Sequence, residues 1–166
     1  MHTRADRSSG PSPALLWFRN DLRLADNPAL CKALDTGAPL VALYVLEEGQ
    51  VLEGGRHAPR PPGGAARWWL HHSLAALAAA IAGKGGRLIL RRGRALDILP
   101  RLCAEAGIDA VFWNRRYEPA AVAVDTAIKA ALTTAGIEVV SKQANLLAEP
   151  FALKNKAGTP FKVYTP

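Results

Sequence analysis

Five short apolar runs alternate along the chain with four segments of helical periodicity, and this alternation restricts the fold more than any other feature. The runs are 14–18, 39–45, 87–90, 109–113 and 137–141. The first, Ala14–Phe18, has no polar alternation, as expected of a strand buried on both faces of a parallel sheet. Alternating strands and helices favour a doubly wound α/β sheet with right-handed crossovers. We predict a three-layer, Rossmann-like fold with five mostly parallel strands in the order 3-2-1-4-5.

Helix boundaries follow from capping residues and glycines. Asn27 offers a side-chain acceptor, and Pro28 suits the first helical position. The predicted buried stripe of this helix is Leu30, Ala33 and Leu34. Further helices are predicted over 65–82, from about 96 to 106, and from the Glu118-Pro119 pair to about 135, each followed by glycine.

Composition indicates one globular domain. The chain has 166 residues, 49% of them hydrophobic and 21% charged, which argues against disorder. Its longest apolar stretches, 40–46 and 74–82, are too short to span a bilayer, so we expect no membrane partner and a cytoplasmic location. Cys31 and Cys103 are predicted to be buried free thiols, and no metal-ligand spacing is present.

The chain carries a formal net charge of +7, with a pI near 9.9. This balance is compatible with an anionic partner such as nucleic acid. The arginines are spread over several segments and form no helical stripe. A solvated basic surface therefore accounts for most of the charge.

Three regions are predicted. Residues 1–13 have the composition of a disordered tail, 14–142 form the α/β domain, and 143–166 lose all periodicity. The last region contains the aromatic residues Phe161 and Tyr164, for which nothing in the domain offers an obvious packing partner. We expect it to be the start of a linker to a second domain that is absent here. Residues 46–64, rich in Gly and Pro, are predicted to form a long loop.

Charged residues cluster where the first and fourth strands end. Arg19, Asp21 and Arg23 follow the first strand, and 114–118 (NRRYE) follow the fourth. In this topology the ligand crevice lies between those strands, bordered also by the loop after Val45. The turns either bind an anionic or planar ligand or form a salt-bridge network that ties the turns to the sheet.

Two tryptophans, Trp68 and Trp69, open the second long helix. One is expected to pack on the sheet and the other to cover the crevice rim, unless both are core residues. A P-loop, a GxGxxG turn, a GxSxG elbow and a catalytic acid–base or Ser/His/Asp set are all absent. The residues alone therefore predict a ligand-binding module rather than an enzyme.

The stretch from Leu16 to Asn27, LWFRNDLRLADN, resembles the WFRxDLRLxDN opening of the photolyase/cryptochrome family. The similarity continues through ALYV at 42–45, RWWL at 67–70, WNRRYEP at 113–119 and PFKVYTP at 160–166. It covers nearly everything after residue 13, in order.

The resemblance implies an N-terminal antenna domain of a deoxyribodipyrimidine photo-lyase, a carbon–carbon lyase. In that family a helical domain, absent here, holds FAD and receives the damaged dinucleotide flipped out of UV-damaged DNA. Light-excited reduced flavin splits the cyclobutane pyrimidine dimer, and the antenna domain passes excitation energy to FAD. The resemblance therefore places no catalytic residue and no metal in this chain, which is expected to be inactive alone. It also implies contact with the FAD domain, and self-association if that surface is bare.

The antenna site implied by the resemblance comprises Phe18, Arg19, Asp21, Val45, Leu46, Arg67, Asn114, Arg115, Arg116, Tyr117 and Glu118. Arg67 matches an arginine that contacts deazaflavin in some members. Folate-binding members have Asn-Glu where this chain has Ala120-Ala121, and deazaflavin-binding members have an acid in place of Arg116. Arg116 either suits a phosphate-bearing chromophore such as FMN or abolishes binding. We rank 8-hydroxy-deazaflavin or FMN first, no chromophore second and methenyltetrahydrofolate third.

Two alternatives remain at this point. One is a cryptochrome, a light sensor without repair, because the residues that separate the two lie outside this region. The other is a stand-alone nucleotide-binding module, although the glycine-rich phosphate loop of such modules is missing.

Overall fold

The computed structural model describes residues 10–48 and 62–159. Its elements are β1 (Ala14–Phe18), α1 (Pro28–Leu34), β2 (Leu40–Glu47), α2 (Gly64–Ala82), β3 (Leu88–Gly93), α3 (Ala95–Ala106), β4 (Ala110–Asn114), α4 (Pro119–Thr134) and β5 (Glu138–Lys142). The strands form one sheet in the order β3-β2-β1-β4-β5, and all four pairings are parallel. The predicted α/β class and strand order are confirmed.

The two faces of the sheet carry separate hydrophobic clusters, which makes the domain three-layered. Leu15 and Trp17 point into the cluster that includes Leu99 of α3 and Ile128 of α4. Leu16 and its neighbours on the other face join the cluster that includes residues of α1 and α2. Every residue of β1 is buried. Each such large apolar side chain contributes about 1.5–3 kcal/mol when removed from water, so β1 is the centre of the core.

The predicted start of α1 is confirmed. The Asn27 side chain accepts a hydrogen bond from Leu30 N at 3.1 Å, and Pro28 occupies the first helical position. The buried side of this seven-residue helix is formed by Ala29 and Ala33, one turn apart. Leu34 and Cys31 therefore lie off that side, and both are exposed. The predictions that Leu34 and Cys31 are buried are wrong, whereas Cys103 is buried as predicted.

Strands β2 and β3 extend beyond their predicted ends. Parallel pairing continues through Leu46 opposite Arg92 and Glu47 opposite Gly93. Backbone hydrogen bonds hold this ladder regardless of side-chain charge, so the arginines of β3 do not end it. Leu46 accordingly lies on a strand and not in the predicted loop. Most of that loop, 49–61, lies outside the described residues.

Helix α2 contacts the core through its C-terminal half, where Leu77 and Ile81 are buried. Its N-terminal half reaches past the packed layer, so Trp68 and Trp69 are 63% and 67% exposed. The prediction that one of them packs on the sheet is wrong. Trp68 instead contacts the ring of His72, with centroids 4.4 Å apart.

Residues 143–159 contain turns and bends but no helix or strand, as predicted for the described part of the last region. The aromatic residues Phe161 and Tyr164, and residues 1–9 of the predicted tail, lie outside the described residues. Across 10–48 and 62–159, no helix is long and apolar enough to cross a membrane.

Candidate functional site

A cleft of about 940 Å³ opens at the carboxyl edge of the sheet, between the ends of β1, β2 and β4 and the N-terminal half of α2. This is the switch point of the topology, where open α/β sheets bind ligands. The cleft is lined by Arg19, Asn20, Leu22, Tyr44, Val45, Leu46, Glu47, Pro62, Ala66, Trp69, Leu70, Ser73, Arg116, Glu118, Pro119, Ala120 and Ala121.

Four charged side chains form an alternating chain along the cleft wall, which we call the charge chain: Arg19, Asp125, Arg116 and Glu47. Arg19 Nη1 lies 2.8 Å from Asp125 Oδ2, and Arg116 Nη2 lies 2.6 Å from Asp125 Oδ1. The other end of the Arg116 guanidinium lies 2.6 Å from Glu47 Oε2. Two arginines and two carboxylates thus cancel, and the wall presents no net charge.

Burial and ion pairing act in opposite directions on these arginines. Burial lowers the pKa of Arg19, and the neighbouring Asp125 carboxylate opposes that effect. Burial also acts to lower the pKa of Arg116, but hydrogen bonds and charges from Glu47 and Asp125 outweigh it and raise the pKa. Both guanidiniums remain charged at neutral pH, because arginine starts far above that range.

Two buried tryptophans lie beneath the charge chain. The Arg19 guanidinium lies 4.6 Å from the ring centroid of Trp17 and 5.5 Å from that of Trp113. The guanidinium of Arg116 lies 5.6 Å from the Trp17 centroid. The two indoles meet edge to face, with centroids 5.7 Å apart. Desolvated cation–π contacts of this kind help hold the buried arginines in place.

Asn114, at the end of β4, fastens the turn after β1 to the start of α1. Its Oδ1 accepts from Ala29 N at 3.0 Å, and its Nδ2 donates to Asn27 Oδ1 at 2.8 Å and also to Asp21. Asp21 accepts from the backbone N–H of Arg19 at 2.8 Å and so fixes the turn rather than the guanidinium. For Asp21 and Asn114, the structure corresponds to the network alternative.

A second polar group fastens the segment that follows β5. Arg115 Nη1 bonds to Glu149 Oε1, and Tyr117 Oη donates to the same oxygen at 3.2 Å. Burial is the main cause that raises the pKa of Tyr117, and Glu149 adds to it. Arg23 reaches the same segment, donating to the carbonyl of Ala144 at 3.3 Å. These contacts hold 143–149 against the sheet edge.

The eleven predicted site residues fall into four groups. Arg19, Val45, Leu46, Arg116 and Glu118 line the cleft. Asp21 and Asn114 fix the first turn, and Arg115 and Tyr117 hold the segment after β5. Phe18 is buried in the cluster beneath α1 and α2, and Arg67 lies in an adjacent groove.

Sequence reasoning missed Tyr44, Glu47, Trp69 and Asp125 as parts of the cleft. The first two carry a signal that was available, since they end the second strand at the same edge as Arg19. Asp125 lies two turns into α4 and only the fold brings it to the arginines. Within 10–48 and 62–159, no group of three or more His, Cys, Asp or Glu side chains is arranged to hold a metal ion.

The adjacent groove has a volume of about 380 Å³ and lies between α2 and the edge strand β3. It is lined by Tyr44, Leu46, Arg67, Leu70, His71, Leu74, Leu90, Arg91 and Arg92. Tyr44, Leu46 and Leu70 line the cleft as well, so the two depressions meet along these side chains.

Comparisons with known proteins agree on one family. The family model described as DNA photolyase matches residues 14–166. The chain is 46% identical over 155 residues to a deoxyribodipyrimidine photo-lyase of Agrobacterium fabrum and 37% identical over 152 residues to cryptochrome-1 of Arabidopsis thaliana. These matches cover 93% and 91% of the chain but only 30% and 21% of the two relatives.

Solved structures give the same result. A bacterial class III photolyase from Agrobacterium tumefaciens superposes with a TM-score of 0.83 at 43% identity, covering 98% of this chain and 32% of that one. A cryptochrome from Synechocystis gives a TM-score of 0.75 at 26% identity, covering 86% and 29%. The chain thus spans about a third of the photolyases that it matches.

Proposed function

The chain belongs to the DNA photolyase family, and on that premise we propose that it is the light-harvesting antenna domain of a photolyase. The observation that carries the proposal is the position of the cleft, which lies at the switch point of a domain that matches the family from residue 14 onward. A chromophore bound there absorbs light and passes the excitation to a flavin elsewhere in the protein.

The proposed parent protein is a deoxyribodipyrimidine photo-lyase, like the relative that is 46% identical. In this proposal FAD and the damaged DNA are bound by a helical domain outside these 166 residues, where reduced FAD splits the pyrimidine dimer. The present chain supplies no reacting group. Illuminated alone with dimer-containing DNA, it should leave the dimers intact.

The dimensions and lining of the cleft suit a planar organic ring. Its volume, about 940 Å³, is near the upper end of the ~300–1,000 Å³ typical of small-molecule sites. Tyr44 and Trp69 provide aromatic surface, and Leu22, Val45 and Leu70 provide apolar walls. A ring therefore gains both burial and aromatic contacts there.

The charge chain favours an uncharged ring. Because Glu47 and Asp125 already bind the guanidinium of Arg116, a phosphate at that position would meet a neutral wall and a nearby Glu118 carboxylate. Ala120 and Ala121, in the same wall, offer no polar side chain to a pterin. We therefore place 8-hydroxy-deazaflavin ahead of FMN, keep a chromophore-free domain second, and place methenyltetrahydrofolate third.

A titration of the 166-residue chain with each chromophore tests the proposal, with the absorption band of the chromophore as the readout. Ala120→Trp fills the cleft and should abolish the spectral change. Ala123→Trp is the matched control, because Ala123 is exposed on the same helix and does not line the cleft. Unchanged spectra with all three chromophores, or equal binding by the Ala120 variant, would refute an antenna role.

A cryptochrome-type photoreceptor is the second candidate, favoured by the 37% identity to Arabidopsis cryptochrome-1 over 91% of the chain. The two functions share the antenna domain and differ in the chemistry of the rest of the protein. Blue-light repair of dimer-containing DNA by the parent protein would select the photolyase. A parent protein that binds FAD without repairing dimers would select the photoreceptor.

We propose that residues 143–166 begin the linker to the helical domain and that their surroundings form its docking surface. Leu147, Phe151 and Leu153 are exposed large apolar side chains in this segment. Exposed patches of this kind usually mark an interface. In the isolated chain the surface should drive self-association, and a clean monomer in sedimentation at high concentration would count against it.

A further inference from the structure

We propose that the chromophore held in the cleft carries an anionic tail, and that this tail lies in the groove between α2 and β3, where Arg67 and Arg91 bind it. The inference rests on the proposed antenna function and adds the chemical class of the ligand. It assigns to the groove a role separate from that of the cleft.

The first argument is continuity. The cleft and the groove are separated only by Tyr44, Leu46 and Leu70, which line both. A ligand with its ring in the cleft can therefore extend over these side chains without leaving the protein surface. A ring attached to a flexible chain has the matching shape.

The second argument is charge. The guanidiniums in the cleft are paired with carboxylates, whereas no residue that lines the groove is acidic. Arg67 makes no hydrogen bond or ion pair with any described residue, and Arg91 donates only to the carbonyl of Leu90, at 3.0 Å. The third arginine, Arg92, is already paired with Glu48 at 2.6 Å. The uncompensated positive charge of this region thus lies in the groove.

The third argument is the shape of the binding surface. Arg67 stands on the α2 wall and Arg91 on the β3 wall, with His71 one helical turn after Arg67. Between the walls lie Leu74 and Leu90, and Leu90 is 53% exposed although it belongs to the sheet. Aliphatic floor and cationic rims suit an alkyl or sugar-alcohol chain that ends in a phosphate or carboxylate.

Riboflavin and FMN form a matched pair of probes, because they share one ring and differ only in the 5′-phosphate. We expect the 166-residue chain to bind FMN about tenfold more tightly than riboflavin at low salt, as one charge-assisted contact gives. The advantage should shrink as salt is raised. Arg67→Gln and Arg91→Gln should each reduce FMN affinity towards that of riboflavin and leave riboflavin affinity unchanged.

Arg101→Gln is the control, since Arg101 is an exposed arginine of α3 paired with Glu105 at 3.2 Å. It should leave both affinities unchanged. Equal affinity for the two flavins overturns the inference while leaving the antenna proposal intact. An FMN preference that survives both groove substitutions places the phosphate elsewhere and also overturns it. Binding of neither flavin overturns the inference, and failure of all three chromophores in the preceding titration refutes the antenna proposal as well.

Discussion

Asp125→Asn tests whether the charge chain stabilises the domain. Asp125 accepts hydrogen bonds from Arg19 at 2.8 Å and from Arg116 at 2.6 Å, and it is the carboxylate that both arginines share. The side chain of Arg19 is 4% exposed and that of Asp125 is 13% exposed, so water cannot replace the lost charge. The substitution keeps the size of the side chain and removes its charge.

The expected cost follows from the burial of the arginines. Removing one partner of a buried ion pair costs about 3–5 kcal/mol, because the remaining charge stays in a poorly solvated site. The asparagine oxygen can still accept one hydrogen bond, so we expect about 3 kcal/mol, the lower end of that range. For a chain of this size the loss corresponds to a fall in Tm of roughly 6–12 °C.

Urea denaturation followed by tryptophan fluorescence measures the free energy of unfolding directly. Asp97→Asn is the control, because Asp97 is exposed and lies 3.6 Å from its partner Arg94. It should change the free energy by less than about 0.5 kcal/mol. A loss of under 1 kcal/mol for the Asp125 variant would contradict the argument, since it would mean that the arginines are solvated.

Three further results are expected. Burial raises the pKa of the Cys103 thiol to about 11 from an ordinary value of 9.0, so the unfolded chain ionises first and stability falls by about 2–3 kcal/mol between pH 9 and 11; Cys103→Ala should remove that slope in denaturation measured across this range. Asn114→Ala leaves the Ala29 N–H and the Asp21 carboxylate without their partner, and it should lower the free energy of unfolding by about 2–4 kcal/mol. Glu149→Gln weakens the contacts that hold the segment after β5, and limited proteolysis should cut that segment several-fold faster while the α/β domain stays intact.

The fold was predictable because the sequence carries its period and its boundaries. The apolar run at 14–18 and the Asn27-Pro28 pair gave β1 and the start of α1, and parallel topology then fixed the edge where the cleft opens. The errors occurred where tertiary packing overrides local pattern. Trp69 looks like a core residue in sequence, yet its half of α2 borders the cleft and the indole is exposed.

The cleft itself was predictable only in part. Strand ends are readable, so Arg19, Val45 and Arg116 were placed at the correct edge. What the sequence does not reveal is whether an arginine at that edge is already neutralised. Asp125 decides this, and it is 106 residues away from Arg19 along the chain. The expectation that Arg116 meets a phosphate is therefore replaced by our proposal that a neutral ring lies beside it.

The action spectrum of dimer repair by the photolyase that contains this chain tests light harvesting most directly. With a chromophore in the cleft, repair should follow the absorption band of the chromophore as well as that of FAD. Ala120→Trp should remove the chromophore band and leave the FAD-driven rate unchanged. An action spectrum that the substitution does not alter, in a protein shown to bind the chromophore, would contradict the account.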